Sequence, residues 1–260
     1  YAALSTQNFT SATDNFNTAV GFAAGSGITT GTLNTLIGGL AGDAITTGSN
    51  NVALGHDSLG LNTTGDSNTA IGEDALQANT TASNNVAVGR RAMFANTTGT
   101  DNVAMGHNAL DANTTASNNT AIGHDALTEN TTGTRNTAVG NAALTTNTTG
   151  DFNTAVGSHS LFYNTTASNN TATGYLALHK TTTGANNSAV GFGALEENTT
   201  GISNTAVGSR ALDANTEGDS NVAIGLNSLS ANTTADKELR PMATLLSLQQ
   251  ITIQQLVHLL

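Results

Sequence analysis

Cysteine is absent from this 260-residue chain, so it contains neither a disulfide framework nor a thiolate metal site. That suits a secreted rod, and equally a cytosolic protein, so it leaves the compartment open. Charge is scarce as well: 10% of residues are Asp, Glu, Lys or Arg, and seven basic residues against 18 acidic ones leave a net charge of −11. Phosphate binding needs clustered Lys and Arg, and seven scattered cations exclude a general nucleic-acid binder. Aromatics make up 4%, Trp is missing and Pro occurs once, at Pro241. Such a composition argues against a thick globular core, and what remains is mostly Thr, Asn, Ala and Gly.

Those residues are ordered by a strict period. Glycine recurs every 17 residues at Gly21, Gly38, Gly55, Gly72, Gly89, Gly106, Gly123, Gly140, Gly157, Gly174, Gly191, Gly208 and Gly225. An Asn stands four residues before each, from Asn17 to Asn221. A short fixed period without slips marks a solenoid, each repeat forming one rung stacked on the last. The chain opens at Tyr1-Ala2-Ala3-Leu4, which matches the segment after the repeat glycine. It reads as already inside a rung, as expected of a fragment of a longer repetitive protein.

Aligned on the glycine, the rung is N-[TV]-A-[VIL]-G-x-x-A-L-x-x-N-T-T-[GA]-x-x, as in Asn68–Ala82. The first block alternates as a strand does. The residue before the glycine is apolar in every rung but that of Thr173, and Thr, Val or Ser two places earlier shares its face. Read this way, Val/Ile forms the rung's own core. The intervening row, Ala19, Ala53, Ala70, Ala87, Ala104, Ala121, Ala138, Ala155, Ala172, Ala189, Ala206 and Ala223, with Leu36 as its exception, faces away and is kept small by a neighbouring chain. The Ala-Leu pair after the glycine supplies a second core hydrophobe. Where that Leu becomes Gly25 and Gly42, the Asn three places on becomes Ile28 and Ile45, so both positions serve one pocket at conserved volume. A short helical turn gives that offset, and so does a tight bend between short strands.

The Asn-Thr-Thr block creates N-x-[ST] sequons at Asn62, Asn79, Asn96, Asn113, Asn130, Asn147, Asn164, Asn198 and Asn232. They are candidate glycosylation sites. The substitution by Ile28 and Ile45 favours an inward amide ladder instead, each Asn bonding to its copy one rung away. The upstream Asn of each rung reads as a turn former. Thr rows such as Thr63-Thr64 are candidates for O-linked sugar.

Positions just after the glycine vary and mark the outside. At about 4.8 Å per rung, Glu73 meets Arg90 and His107 stacks on His124. Two histidines fall short of the three or four donors that a metal site needs, so these residues read as solvated surface and no metal or other cofactor is expected. No catalytic constellation stands out from chance, and the repeat accounts for every glycine of a would-be phosphate loop. The chain reads as a non-enzyme.

The repeat pattern ends near residue 235, dividing the chain into a solenoid over 1–235 and a segment over 236–260. Position 238 is Glu238 instead of Asn, and position 242 is Met242 instead of Gly. Pro241 suits a helix first turn. Met242, Leu246, Gln249, Ile253, Leu256 and Leu260 follow heptad spacing, so a short C-terminal helix is expected, capping the solenoid or joining a coiled coil. A strand at Ile251-Thr252-Ile253 is the alternative. Four glutamines argue against a membrane span there.

Segments such as Asn136-Thr137-Ala138-Val139-Gly140 and Asn221-Val222-Ala223-Ile224-Gly225 resemble the S-V-A-I-G head repeats of YadA-like trimeric autotransporter adhesins, over residues 1–235. Similar repeats occur in phage and virus fibres. The resemblance implies a left-handed parallel β-roll, three identical chains side by side on a stalk, and attachment to a host-cell or matrix receptor or glycan. The 17-residue rung is longer than the usual head repeat, and neither the family's membrane anchor nor its neck is recognisable. The expectation is therefore an all-β parallel β-solenoid of 17-residue rungs, homotrimeric, serving as a structural or adhesive fibre on a cell or virion surface. The alternative is an ice- or carbohydrate-binding solenoid that uses its Thr rows.

Overall fold

The computed structural model describes residues 2–6 and 15–241. Its architecture is an all-β parallel solenoid. Fourteen three-residue strands, from β1 (Thr18–Val20) through β13 (Val222–Ile224) to β14 (Leu239–Pro241), form one sheet in sequence order. Every pairing is parallel with a register of one repeat, as in Ala121↔Ala138 and Ala138↔Ala155. No helix lies among the described residues, and none there is long and apolar enough to cross a membrane.

Alternation along each strand runs opposite to the expectation. The central alanine points inward: all of the row from Ala53 to Ala223 is wholly buried by its own chain, and Ala19 packs against the same core. The Val/Ile row points outward. The cause is the thinness of the rung, in which the facing wall already fills the space. That wall carries the second alanine and the leucine, as in Ala75-Leu76 and Ala126-Leu127, also wholly buried. Between walls this close, a strand position has room for a methyl group and little more. The alanine row is therefore a core row, its side chains from Ala53 to Ala223 wholly covered by their own chain.

Leu36 shows the volume rule at work. It occupies the alanine row yet is fully buried. Its methyls reach into the space opened by Gly25 and Gly42, where added Cβ atoms would lie 2.7 and 2.9 Å from them. Ile28 and Ile45 fill the rest, as the paired substitutions implied, and both are fully buried. Leucine lost from two rungs is thus replaced by two isoleucines and one leucine from three different positions.

The link between the two walls is a pair of tight turns with no helical segment. In a typical rung Ala75 N–H bonds to Gly72 O at 3.3 Å and Asn79 N–H to Leu76 O at 3.1 Å. The second residue after each glycine and the core leucine both take left-handed backbone angles, as at Asp74 (φ 57°) and Leu76 (φ 51°). At the first of these positions Asp and Asn recur, at Asp57, Asp74, Asn108, Asp125 and Asn227. Short polar side chains tolerate this region better than most.

The solenoid runs past its predicted end. Glu238 N–H bonds to Asn221 Oδ1 at 2.8 Å, and Leu239–Pro241 pairs with β13 as strand β14. The strand contains Pro241, which was expected to open a helix. The strand tolerates it as the terminal strand of the described sheet, where proline's missing N–H is least costly. At the other end Leu4 N–H bonds to Ala24 O at 3.1 Å, so residues 2–6 form a turn stacked on the first rung. The heptad positions Met242 to Leu260 lie outside the described residues.

Candidate interaction surface

Two asparagine columns lock the rungs before any surface is presented. The upstream Asn has a buried side chain in nearly every rung. Asn68 Oδ1 accepts the backbone N–H of Asn85 at 3.0 Å, and Asn68 Nδ2 donates to Ala82 O at 2.8 Å. Its amide thus bridges the strand to the opposite side of its own rung and tethers the next one. This role went unread in the sequence, where the residue passed for a turn former. The sequon Asn forms the expected ladder: Asn79 Nδ2 donates to Asn62 Oδ1 at 2.8 Å and Asn96 Nδ2 to Asn79 Oδ1 at 3.0 Å. It also donates to the carbonyl that the upstream Asn uses, Asn79 to Ala82 O at 3.0 Å, so both columns converge on one acceptor.

That geometry takes eight of the nine sequons off the surface of the folded rod. Asn62, Asn79, Asn96, Asn113, Asn130, Asn147, Asn164 and Asn198 are wholly buried. Asn232 is half-buried, and its amide is held by Asn215 Oδ1 and Ala235 O. Thr63 and its repeats spend their hydroxyls on the next rung, as in Thr63 Oγ1 to Thr80 O at 3.0 Å. The following column, Thr64, Thr81, Thr98 and their repeats, is exposed, and the outward strand row adds a second hydroxyl in rungs that carry Thr or Ser there, as at Thr171 and Ser188.

The ladder breaks once, at Thr181. Asn198 Nδ2 reaches Thr181 Oγ1 only at 3.5 Å, and Asn164 Oδ1 is buried without a partner. Replacing Thr181→Asn restores both bonds. It should raise stability by about 1 kcal/mol, read as a higher denaturant midpoint at unchanged slope.

The outward strand face is a continuous surface. Its two rows run the length of the rod. One is Thr, Val or Ser, as in Thr120, Thr137 and Thr154. The other is Val, Ile, Leu, Met or Thr, as in Met105, Ile122, Val139 and Val156. Nine apolar members of the second row, Val20 to Ile224, are 37–59% exposed. From β1 to β13 neither row holds a charged residue, in a chain of net charge −11. The sheet therefore presents an uncharged strip, mostly β-branched, flanked by residues of both charges.

The flank after the glycine carries the charges and rings. Glu73 and Arg90 pair across rungs at 3.3 Å, as the spacing predicted, in an exposed contact that contributes little. Arg91 forks onto both carboxylate oxygens of Asp111 at 3.0 and 3.2 Å and lies over the Phe94 ring. Lys180 donates to Glu197 at 2.7 Å, and that bond raises the ammonium pKa above its usual value. Burial, with Asp57 adding repulsion, raises that of the Asp43 carboxyl. His107 and His124 stack with ring centroids 5.2 Å apart. Further along, His159, Phe162, Tyr163 and His179 gather in one ring cluster. None of these groups forms a nucleophile–base–orienter chain.

Compared with known proteins, the chain matches no protein-family model, no curated protein and no solved structure.

Proposed function

We propose that this chain is a structural fibre whose identical copies pack together along the outward Val/Ile and Thr/Val strip, leaving the charged flank for display. One observation carries the reading. An uncharged strip runs from β1 to β13, its second row apolar from Val20 to Ile224 except at Thr173, and monomeric proteins rarely leave an apolar row of that length open to water. A second copy is the occupant best matched to it. It repeats with the same rise, so each outward side chain meets an equivalent partner at every rung, whereas an unrelated globular surface has no such period. The rung motif's likeness to YadA-like heads favours three copies, a cell or virion surface location, and attachment through the flank. In that reading the rod supplies reach and rigidity and carries no chemistry of its own. Thirteen rises of about 4.8 Å give a shaft of roughly 62 Å. Any sugar belongs on the exposed Thr64-type column, and intact mass exceeding the sequence mass in sugar-sized steps tests that.

Solution mass tests the assembly. A trimer has three times the 26.1 kDa chain mass. The double variant Ile122→Lys, Val139→Lys places two cations in the middle of the strip and should yield a folded monomer with an unchanged far-ultraviolet spectrum. A parent chain that stays at 26.1 kDa at micromolar concentration overturns the reading. So does a double variant that assembles like the parent.

A further inference from the structure

We propose that His107, His124 and Asp125 form a binding site for a divalent transition-metal ion of the zinc class. The proposal is independent of the fibre reading, and either can fail alone. His107 and His124 hold the first position after the glycine in successive rungs, and Asp125 follows His124 directly. Each residue offers a donor atom, and the three donors lie within 4.8 Å of one another. The sequence supplied the histidine pair. The third donor emerges only because the left-handed backbone at Asp125 (φ 53°) turns its carboxylate back, Oδ2 lying 3.0 Å from His124 Nδ1.

A second observation points to an ion. His107 Nδ1 is buried and has no hydrogen-bond partner. Its other nitrogen, Nε2, lies 3.3 Å from an Arg90 guanidinium nitrogen, which can only donate. Nε2 is then the acceptor, and the proton sits on Nδ1 with nothing to receive it. A metal ion at Nδ1 takes up that unpaired position; the proton then sits on Nε2, so Arg90 must swing off that nitrogen, and it keeps its bond to Glu73. Asn108 Nδ2 donates to Asp125 Oδ1 at 3.1 Å, the kind of outer contact that orients a ligating carboxylate.

Two imidazoles with one carboxylate suit zinc, copper, nickel or ferrous iron, whereas magnesium and calcium prefer all-oxygen sets. Donors around a tetrahedral zinc at about 2.05 Å lie roughly 3.3 Å apart, so this cluster must close by about 1.5 Å at most. The side chains of His124 and Asp125 are 56% and 33% exposed and have room to rotate. Three protein donors leave the fourth position open to water or to a donor from another molecule. Because His107 and His124 belong to different rungs, the ion would clip two rungs together through side chains.

Zinc titration of the full chain by calorimetry, with cobalt absorption as the coordination probe, tests the site. The expected result is one ion per chain and tetrahedral-type cobalt bands. His124→Ala, on an exposed ring, and Asp125→Asn should each weaken binding about tenfold or more. His56→Ala, three rungs away in the same column, should leave it unchanged. Binding that His56→Ala reduces as much as His124→Ala does, or a stoichiometry that tracks all six histidines, overturns the site. So does an absence of saturable binding.

Discussion

Ala138→Glu is expected to abolish the cooperative unfolding transition, while Val139→Glu, one residue along the same strand, leaves the rung folded. Ala138 is wholly buried between two close walls, and its neighbours in the row, Ala121 and Ala155, sit directly above and below. A carboxylate there finds no partner, and the space accepts no side chain longer than a methyl. Burying an unpaired charge and overpacking a dense core each cost several kcal/mol, and together they exceed what one domain has in hand. Val139 points outward, so a charge there keeps its water and disturbs only packing between copies. Circular dichroism melts of the two variants check this directly. A folded Ala138→Glu chain would mean that the alanine row is not the core.

The second large effect is expected at the repeat glycine. In Gly140→Ala the new Cβ would sit 2.6 Å from the carbonyl carbon and oxygen of Gly157, the equivalent glycine one rung on. Both obstacles are backbone, so no side chain can swing aside. Gly140 also has φ 140°, a conformation almost confined to glycine. The rung must separate from its neighbour or change conformation, at a cost of about 4 kcal/mol or more. Since each rung touches only the next, the damage stays at that interface and divides the rod into two weakly coupled blocks. A melt with two steps in place of one, and new protease sensitivity near residue 140, are the expected readouts. A variant melting as the parent does would show that the rungs tolerate a wider spacing.

The fold was legible because the glycine period leaves no alternative to stacked rungs, and the exposed pairs Glu73–Arg90 and His107–His124 follow from that rise alone. The polarity of the strand was not. A row of alanines beside a row of valines and isoleucines reads as a small outer row beside a large inner one, since hydrophobic size ordinarily marks the core. In this rung the distance between walls reverses that rule. One residue carried the signal: Leu36 breaks the alanine row within reach of Gly25 and Gly42, the two glycines that break the leucine row. Such compensation requires all three positions to share one interior. The turn geometry was hidden for a different reason. Leucine carries no preference for left-handed backbone, so nothing in Leu76 or Leu127 announces it. The Asp and Asn two residues earlier do, but the positions just after the glycine, Asp74 and Asp125 among them, read only as a variable outer surface. That misreading also concealed the third donor beside the stacked histidines.

The strand order has a mechanical corollary. Successive strands stack along the rod, so tension applied between its two ends passes through every rung-to-rung contact in series, and the rungs give way one at a time. Each rung that lets go releases 17 residues, about 60 Å of extended chain, in exchange for a rise of about 4.8 Å. Under load the shaft would pay out length in equal steps, each converting stored structure into slack while the rungs behind it hold. Each released rung lengthens roughly tenfold, and the asparagine columns are among the bonds that most of the steps must break.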